Sequence, residues 1–242
     1  MPNNKIHIGT SGWQYDDWKG KYYPASIKNE DLLGEYQKAF STVEVNNSFY
    51  QLPSEKTLIH WAEKTREDFK FAMKANRYIT HMKKLNEPEE ALEKMFGRFD
   101  VISGKIAVIL FQLPPNWKAN AERLKDFFGL LPDDHKYTIE FRNESWYDDE
   151  IYDVLKQQNA ALCIHDIDGK LTPAELTADF TYIRLHGPNK RYEGSYSDEQ
   201  LSEWKDRIEN FLQETNEVFC YFNNDTNANA PINAEKLNGF FA

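Results

Sequence analysis

The stretch Thr138-Ile139-Glu140-Phe141-Arg142-Asn143-Glu144-Ser145-Trp146 is where the fold becomes readable. Together with Tyr137 it alternates the bulky apolar residues Tyr137, Ile139 and Phe141 with Thr138, Glu140 and Arg142, the period-two pattern of a strand. Such a strand carries a carboxylate and a guanidinium on one face. Burying two opposite charges is costly unless they pair or face water or a ligand. A strand end that opens into a cleft meets that condition, and Asn143-Glu144-Ser145 then turns the chain towards a helix.

Seven more short apolar runs resemble this one, at 6–10, 43–46, 69–74, 106–113, 160–165, 182–186 and 218–223. Amphipathic helix candidates lie between the runs, at 31–40, 54–65, 88–100, 120–130, 149–158, 198–215 and 234–241. Several have start signals: Ser54, Pro88 ahead of Glu89 and Glu90, and Ser197 ahead of Asp198 and Glu199. The connection around 173–177 shows only a weak helical pattern. Strand–helix alternation implies a parallel sheet with right-handed crossovers. Eight such units in about 250 residues is the count of a TIM-like (β/α)8 barrel. The expectation is therefore one α/β barrel domain over 1–242, with a weak or degenerate sixth helix. The competing open, doubly wound sheet needs a phosphate loop after its first strand, and Gly9-Thr10-Ser11-Gly12 is a poor match for one.

Whole-chain properties bound the function. The 242 residues suffice for a large core, and 14% aromatic content argues against disorder. A net charge of −10 disfavours broad contact with nucleic acid or an anionic membrane. Cys163 and Cys220 each sit in an apolar run, as reduced core thiols do. No apolar signal region opens the chain and no stretch reaches membrane-spanning length, so a cytoplasmic protein is expected. No feature specifies an oligomeric state.

In barrels of this kind catalytic groups sit at the C-terminal ends of strands and in the loops that follow. Polar residues cluster there: Thr10 and Ser11, Glu44 and Asn46, Lys74, Gln112, Glu140 and Arg142, His165 and Asp166, Arg184 and His186, Asn223 and Asn224. Three strands repeat one device, two polar residues spaced two apart with apolar residues between.

Several of these segments together resemble the YecE-like family of uncharacterised proteins. They are Gly9-Thr10-Ser11-Gly12-Trp13 with Tyr15, Trp18, Tyr22, Tyr23 and Pro24; Glu44-Val45-Asn46-Asn47-Ser48-Phe49-Tyr50 with Pro53; and Phe71-Ala72-Met73-Lys74 with Thr80-His81. Phe111-Gln112-Leu113-Pro114-Pro115, Glu140 to Trp146, Arg184-Leu185-His186-Gly187 and Tyr221-Phe222-Asn223-Asn224-Asp225 complete the set. The resemblance spans essentially the whole chain and implies a TIM-like barrel. It implies no particular activity.

Glu44, Glu140 and His186 are the catalytic candidates, two carboxylates and an imidazole for acid–base work. Their alternative is a set of structural ion pairs with Arg142, Arg184 or Lys74. Arg142, Arg184 and Lys74 would bind an anionic ligand, and Asn46, Gln112, Trp13, Asn223 and Asn224 would line its site. Trp18 and Tyr23 read as an aromatic plug, Asp225 as a helix cap, and 188–196 as a lid or a solvated loop. No cofactor is expected. A divalent metal on Glu140, Asp166 and His186 is disfavoured because Arg142 and Arg184 would crowd it. The expected partner is a small anionic or sugar-like molecule, and the expected function a hydrolase or lyase acting on it. The alternatives are a metal-dependent phosphodiesterase acting on nucleotide or nucleic acid, and a non-catalytic binding barrel.

Overall fold

Eight parallel strands form the sheet of the computed structural model, which describes residues 5–167, 169–190 and 192–241. They are β1 (Ile6–Thr10), β2 (Thr42–Val45), β3 (Lys70–Lys74), β4 (Ile106–Gln112), β5 (Tyr137–Glu140), β6 (Ala161–Ile167), β8 (Phe180–Leu185) and β9 (Glu217–Phe222). A two-residue strand, β7 (Lys170–Leu171), folds back antiparallel on β6. Hydrogen-bonded neighbours run β1-β9-β8-β6-β5-β4-β3-β2, which brings β1 back beside β2. Around them lie α1 (Leu32–Tyr36), α2 (Asn47–Tyr50), α3 (Glu55–Lys64), α4 (Glu89–Phe99), α5 (Ala121–Phe128), α6 (Asp149–Gln157), α7 (Asp198–Glu214) and α8 (Asn229–Gly239). The start signals act as expected: Ser54 caps α3 from Thr57 N–H, and Ser197 with Gln200 forms a full capping box on α7.

The sixth unit has no helix among the described residues between β6 and β8. Its connection instead hydrogen-bonds to β6. Thr177 Oγ1 accepts from Leu162 N–H at 2.8 Å, and Thr172 Oγ1 accepts from His165 N–H at 2.9 Å. The last helix begins at Asn229 rather than 234, because Pro231 fits a first turn, where its missing N–H leaves no bond unmade. Two short elements carry no periodic signal in sequence: α2, and a π-helix over Tyr78–Met82.

Alternation along the strands divides the core in two. Val43, Val45, Ile139, Phe141, Ile183 and Leu185 belong to the large outer cluster, packed with residues of the helices. Ala72, Val108, Leu110, Cys163, Tyr182 and Tyr221 form a smaller cluster of the alternate positions, inside the barrel. Cys163 and Cys220 are buried free thiols, one in each layer.

The seam between β1 and β2 is closed by a side chain rather than a ladder. The only backbone pairing across it among the described residues is the bridge Ser11↔Glu44. Tyr36 fills the gap: its hydroxyl accepts from Thr10 N–H at 2.9 Å and donates to Thr42 O at 3.0 Å. Gly9 permits this approach, since a Cβ there would stand 2.4 Å from Thr42 O. Tyr36→Phe orphans one donor and one acceptor in the dry seam, and is expected to cost about 1–2 kcal/mol. Chemical denaturation would measure the loss, and unchanged stability would show that the hydroxyl does not hold the seam.

Candidate functional site at the C-terminal mouth of the barrel

Three strands bring their charges to one point inside the barrel. Arg184, on β8, lies between two glutamates and is 1% exposed. Its Nη1 donates to Glu140 Oε2 on β5 at 2.5 Å, and its Nη2 to Glu44 Oε1 on β2 at 2.7 Å. Glu44 also accepts from Ser11 Oγ at 2.6 Å and from the Tyr182 hydroxyl at 2.7 Å. The second oxygen of Glu140 is ion-paired with Arg142. Asn223 Oδ1 accepts a further bond from Arg184 Nη2 at 3.2 Å.

This geometry decides the protonation of both carboxylates. Burial pushes Glu44 up, but the Arg184 charge, its hydrogen bond and Lys74 outweigh it and hold Glu44 below its ordinary value. Burial also opposes ionisation of Glu140, yet Arg142 and Arg184 hold it well below. Both are carboxylates at neutral pH and therefore poor general acids.

His186 and His165 are held neutral, first by burial and then by the arginines. Arg142 Nη2 can only donate, so His186 Nε2, at 3.1 Å, accepts, and the ring proton is assigned to Nδ1. His165 Nε2 donates to Phe141 O at 3.1 Å, which leaves its Nδ1 as an acceptor. Asp166 is fixed by His186 N–H at 2.9 Å and by the Tyr196 hydroxyl at 2.6 Å. Burial raises its carboxyl to about 6.

Lys74 stands apart from this network. Its Nζ donates to Gln112 Oε1 at 2.7 Å and lies 4.5 Å from the centre of the Phe49 ring. It makes no ion pair among the described residues, because the arginines occupy both glutamates. Burial pulls its amine down to about 7, the Arg184 charge adds to this, and Glu140 and Glu44 oppose it. The same Phe49 ring meets His81 edge-on at 5.0 Å. Half-buried Asn46, Gln112, Arg142 and His81 edge this side of the mouth.

The remaining expected residues are tied into the wall. Trp13 is buried edge-to-face on Trp61 at 5.1 Å, so the first loop packs down at Trp13 as well as at Trp18 and Tyr23. Asn224 is fully buried and donates to Gly194 O at 2.8 Å and Asn233 Oδ1 at 2.9 Å. Those bonds, with Gly187 N–H on the Tyr196 hydroxyl at 3.0 Å, pin the 188–196 loop at both ends. Arg191 of that loop lies outside the described residues. Asp225 is not the helix cap expected of it: its side chain makes no cap bond and accepts from Asn223 Nδ2 at 3.0 Å instead. Burial raises it to about 7.

Glu140, Asp166 and His186, the three side chains considered for a cation, each have other partners. The glutamate oxygens face arginines, both oxygens of the aspartate accept hydrogen bonds, and His186 Nε2 faces Arg142. No group of three metal-binding side chains occurs among the described residues. Nor is any helix of them long and apolar enough to cross a membrane.

Two residues of the site escaped the sequence reading. Tyr182 precedes Arg184 by two, so the strand period places it on the same face, but tyrosine reads as core. His81 sits on the π-helix, where no periodicity points to the mouth.

An opening of about 700 Å³ exists at the opposite end of the barrel, bordered by His7, Lys70, Glu217 and Phe219. Its charges are largely paired, Glu217 with Lys136 at 2.9 Å and Asp68 with Arg66 at 3.1 Å. By contrast, every buried side-chain nitrogen or oxygen without a hydrogen-bond partner, among the described residues, lies near the C-terminal end of a strand or within three residues past it.

Fold and polar mouth together define a TIM-like α/β barrel with a buried charge cluster at its C-terminal face. The family model described as protein of unknown function DUF72 matches residues 7–242, and the chain belongs to that family. It is 28% identical to the UPF0759 protein YunF of Bacillus subtilis (strain 168), over 96% of this chain and 93% of that protein. It is 27% identical to the UPF0759 protein YecE of Escherichia coli (strain K12) over 59% of this chain and half of that one. The crystal structure of a DUF72 family protein, TM1631, from Thermotoga maritima MSB8 superposes with a TM-score of 0.89 at 28% identity, covering 98% of both chains.

Proposed function

We propose that the mouth is the active site of a small-molecule enzyme, a hydrolase or lyase acting on a small anionic or sugar-like compound. The observation that carries this reading is the concentration of unpartnered buried polar atoms there. Trp13 Nε1, Asn46 Oδ1, Arg142 Nε, His165 Nδ1, Arg184 Nε and His186 Nδ1 all lack a partner. Buried polar groups in native proteins are nearly always satisfied, and exceptions gather at functional sites. A ligand with donors and acceptors of its own would complete them.

In this reading Glu44 and Glu140 act as ionised anchors that hold Arg184 and Arg142 in place. His186 is a neutral imidazole with an unpartnered Nδ1–H, and Lys74 is the group that titrates near neutrality. Arg142 and Lys74 make the open side of the mouth electropositive, which favours a carboxylate or phosphate on the ligand. The test is a melting-temperature screen against small phosphorylated and carboxylated sugars and acids. At least one class is expected to raise the melting temperature by a few degrees or more at saturation. Arg142→Ala and Asn46→Ala should each abolish that rise. A screen without any rise, or a rise that both variants retain, rejects the reading.

A further inference from the structure

We propose that Lys74 is a nucleophilic amine that condenses with the carbonyl carbon of a small aldehyde or ketone bearing an anionic group, forming an imine. This inference rests on the mouth being the active site and names the chemistry of its substrate.

The argument begins with what surrounds the amine. A buried lysine ordinarily finds a carboxylate. Here two carboxylates lie within electrostatic range, but Arg184 bridges them and Arg142 takes the remaining oxygen of Glu140. Lys74 is left with one amide oxygen, that of Gln112, and the Phe49 ring. Neither is a base that would keep the amine charged. With 8% of its surface exposed, it is largely dry but not sealed. Desolvation and neighbouring cations are the two means by which a lysine is made a nucleophile at neutral pH. Both operate here.

The step balances without a further reactant. The neutral amine attacks the carbonyl carbon, the carbonyl π pair moves to oxygen, and a proton passes from nitrogen to that oxygen. The resulting carbinolamine loses its hydroxyl and the second amine proton as water, leaving C=N. Protonated, that imine accepts the electron pair of a bond breaking at the adjacent carbon, which fits a lyase. Arg142, whose Nε has no partner, offers a site for the substrate's carboxylate or phosphate.

Borohydride trapping tests the proposal. The protein is incubated at pH 7 with pyruvate, glyoxylate or dihydroxyacetone phosphate, reduced, digested and mapped by mass spectrometry. The expected result is a stable gain on Lys74, equal to the probe less one oxygen atom, with occupancy roughly tenfold or more above any other lysine. Lys74→Arg and Lys74→Met should lose it. A label spread evenly over surface lysines overturns the proposal. A probe that raises the melting temperature without marking Lys74 overturns the imine but leaves the ligand site standing. Neither a rise nor an adduct with any of the three counts against both.

Discussion

Arg184→Met is expected to destabilise the protein by at least about 3–5 kcal/mol, enough to unfold a barrel of ordinary stability. The methionine nearly fills the space but strands Glu44 and Glu140, both fully buried, without the cation that joins them. Replacing Glu44 as well, with Glu44→Gln, should restore much of the loss, because Glu140 keeps its ion pair with Arg142 and no carboxylate then stays unpaired. Acid titration supplies a second readout. In the natural protein both glutamates titrate below their unfolded value, so their contribution is present above that value and lost as pH falls through the folded one. In the variant Glu44 loses the charge and hydrogen bond that chiefly oppose its burial and is raised, while Glu140 keeps Arg142, so stability should increase on mild acidification through Glu44. Urea denaturation at pH 5 and pH 8 distinguishes the cases, and a variant within about 1 kcal/mol of the natural protein at both would show that the cluster is not buried.

Lys74→Met is expected to act in the opposite direction, stabilising the protein by about 2–4 kcal/mol at pH 6–7. The folded amine titrates at about 7 against an ordinary 10.5, so below pH 7 folding must hold a charge in a dry site. As pH rises from 7 towards 10.5 the folded amine is already neutral while the unfolded one still loses its proton, and the penalty disappears. The gain from methionine should shrink accordingly and vanish near pH 10.5. Denaturant midpoints across that range would show it. A destabilised variant, or a gain independent of pH, would mean that the amine is solvated.

Much of this architecture is legible along the chain, for identifiable reasons. The alternation of Ile139, Phe141 and Glu140 records which side of the strand meets helices and which meets the barrel interior. The same period in Val43, Glu44 and Val45 and in Ile183, Arg184 and Leu185 gives the three walls of the charge cluster. Periodicity says nothing, however, about which guanidinium reaches which carboxylate. That Arg184 spans Glu44 and Glu140 while Lys74 goes without depends on barrel diameter and strand stagger, which no local pattern carries. Tyr36 as the closure of the β1–β2 seam is hidden for a related reason, since its partners Thr10 and Thr42 use backbone atoms. The π-helix that carries His81 follows neither the helical nor the strand period that the chain shows elsewhere.

The Arg184 tie also orders events in time. Glu44 and its guanidinium are 140 positions apart, and Glu140 and Arg184 are 44 apart. During synthesis both glutamates exist long before their shared cation does. Until β8 has been made and has found its place between β6 and β9, Glu44 lacks its guanidinium, whereas Glu140 already has Arg142. One residue from the C-terminal third of the sequence thereby ties together β2 and β5, two strands made before it.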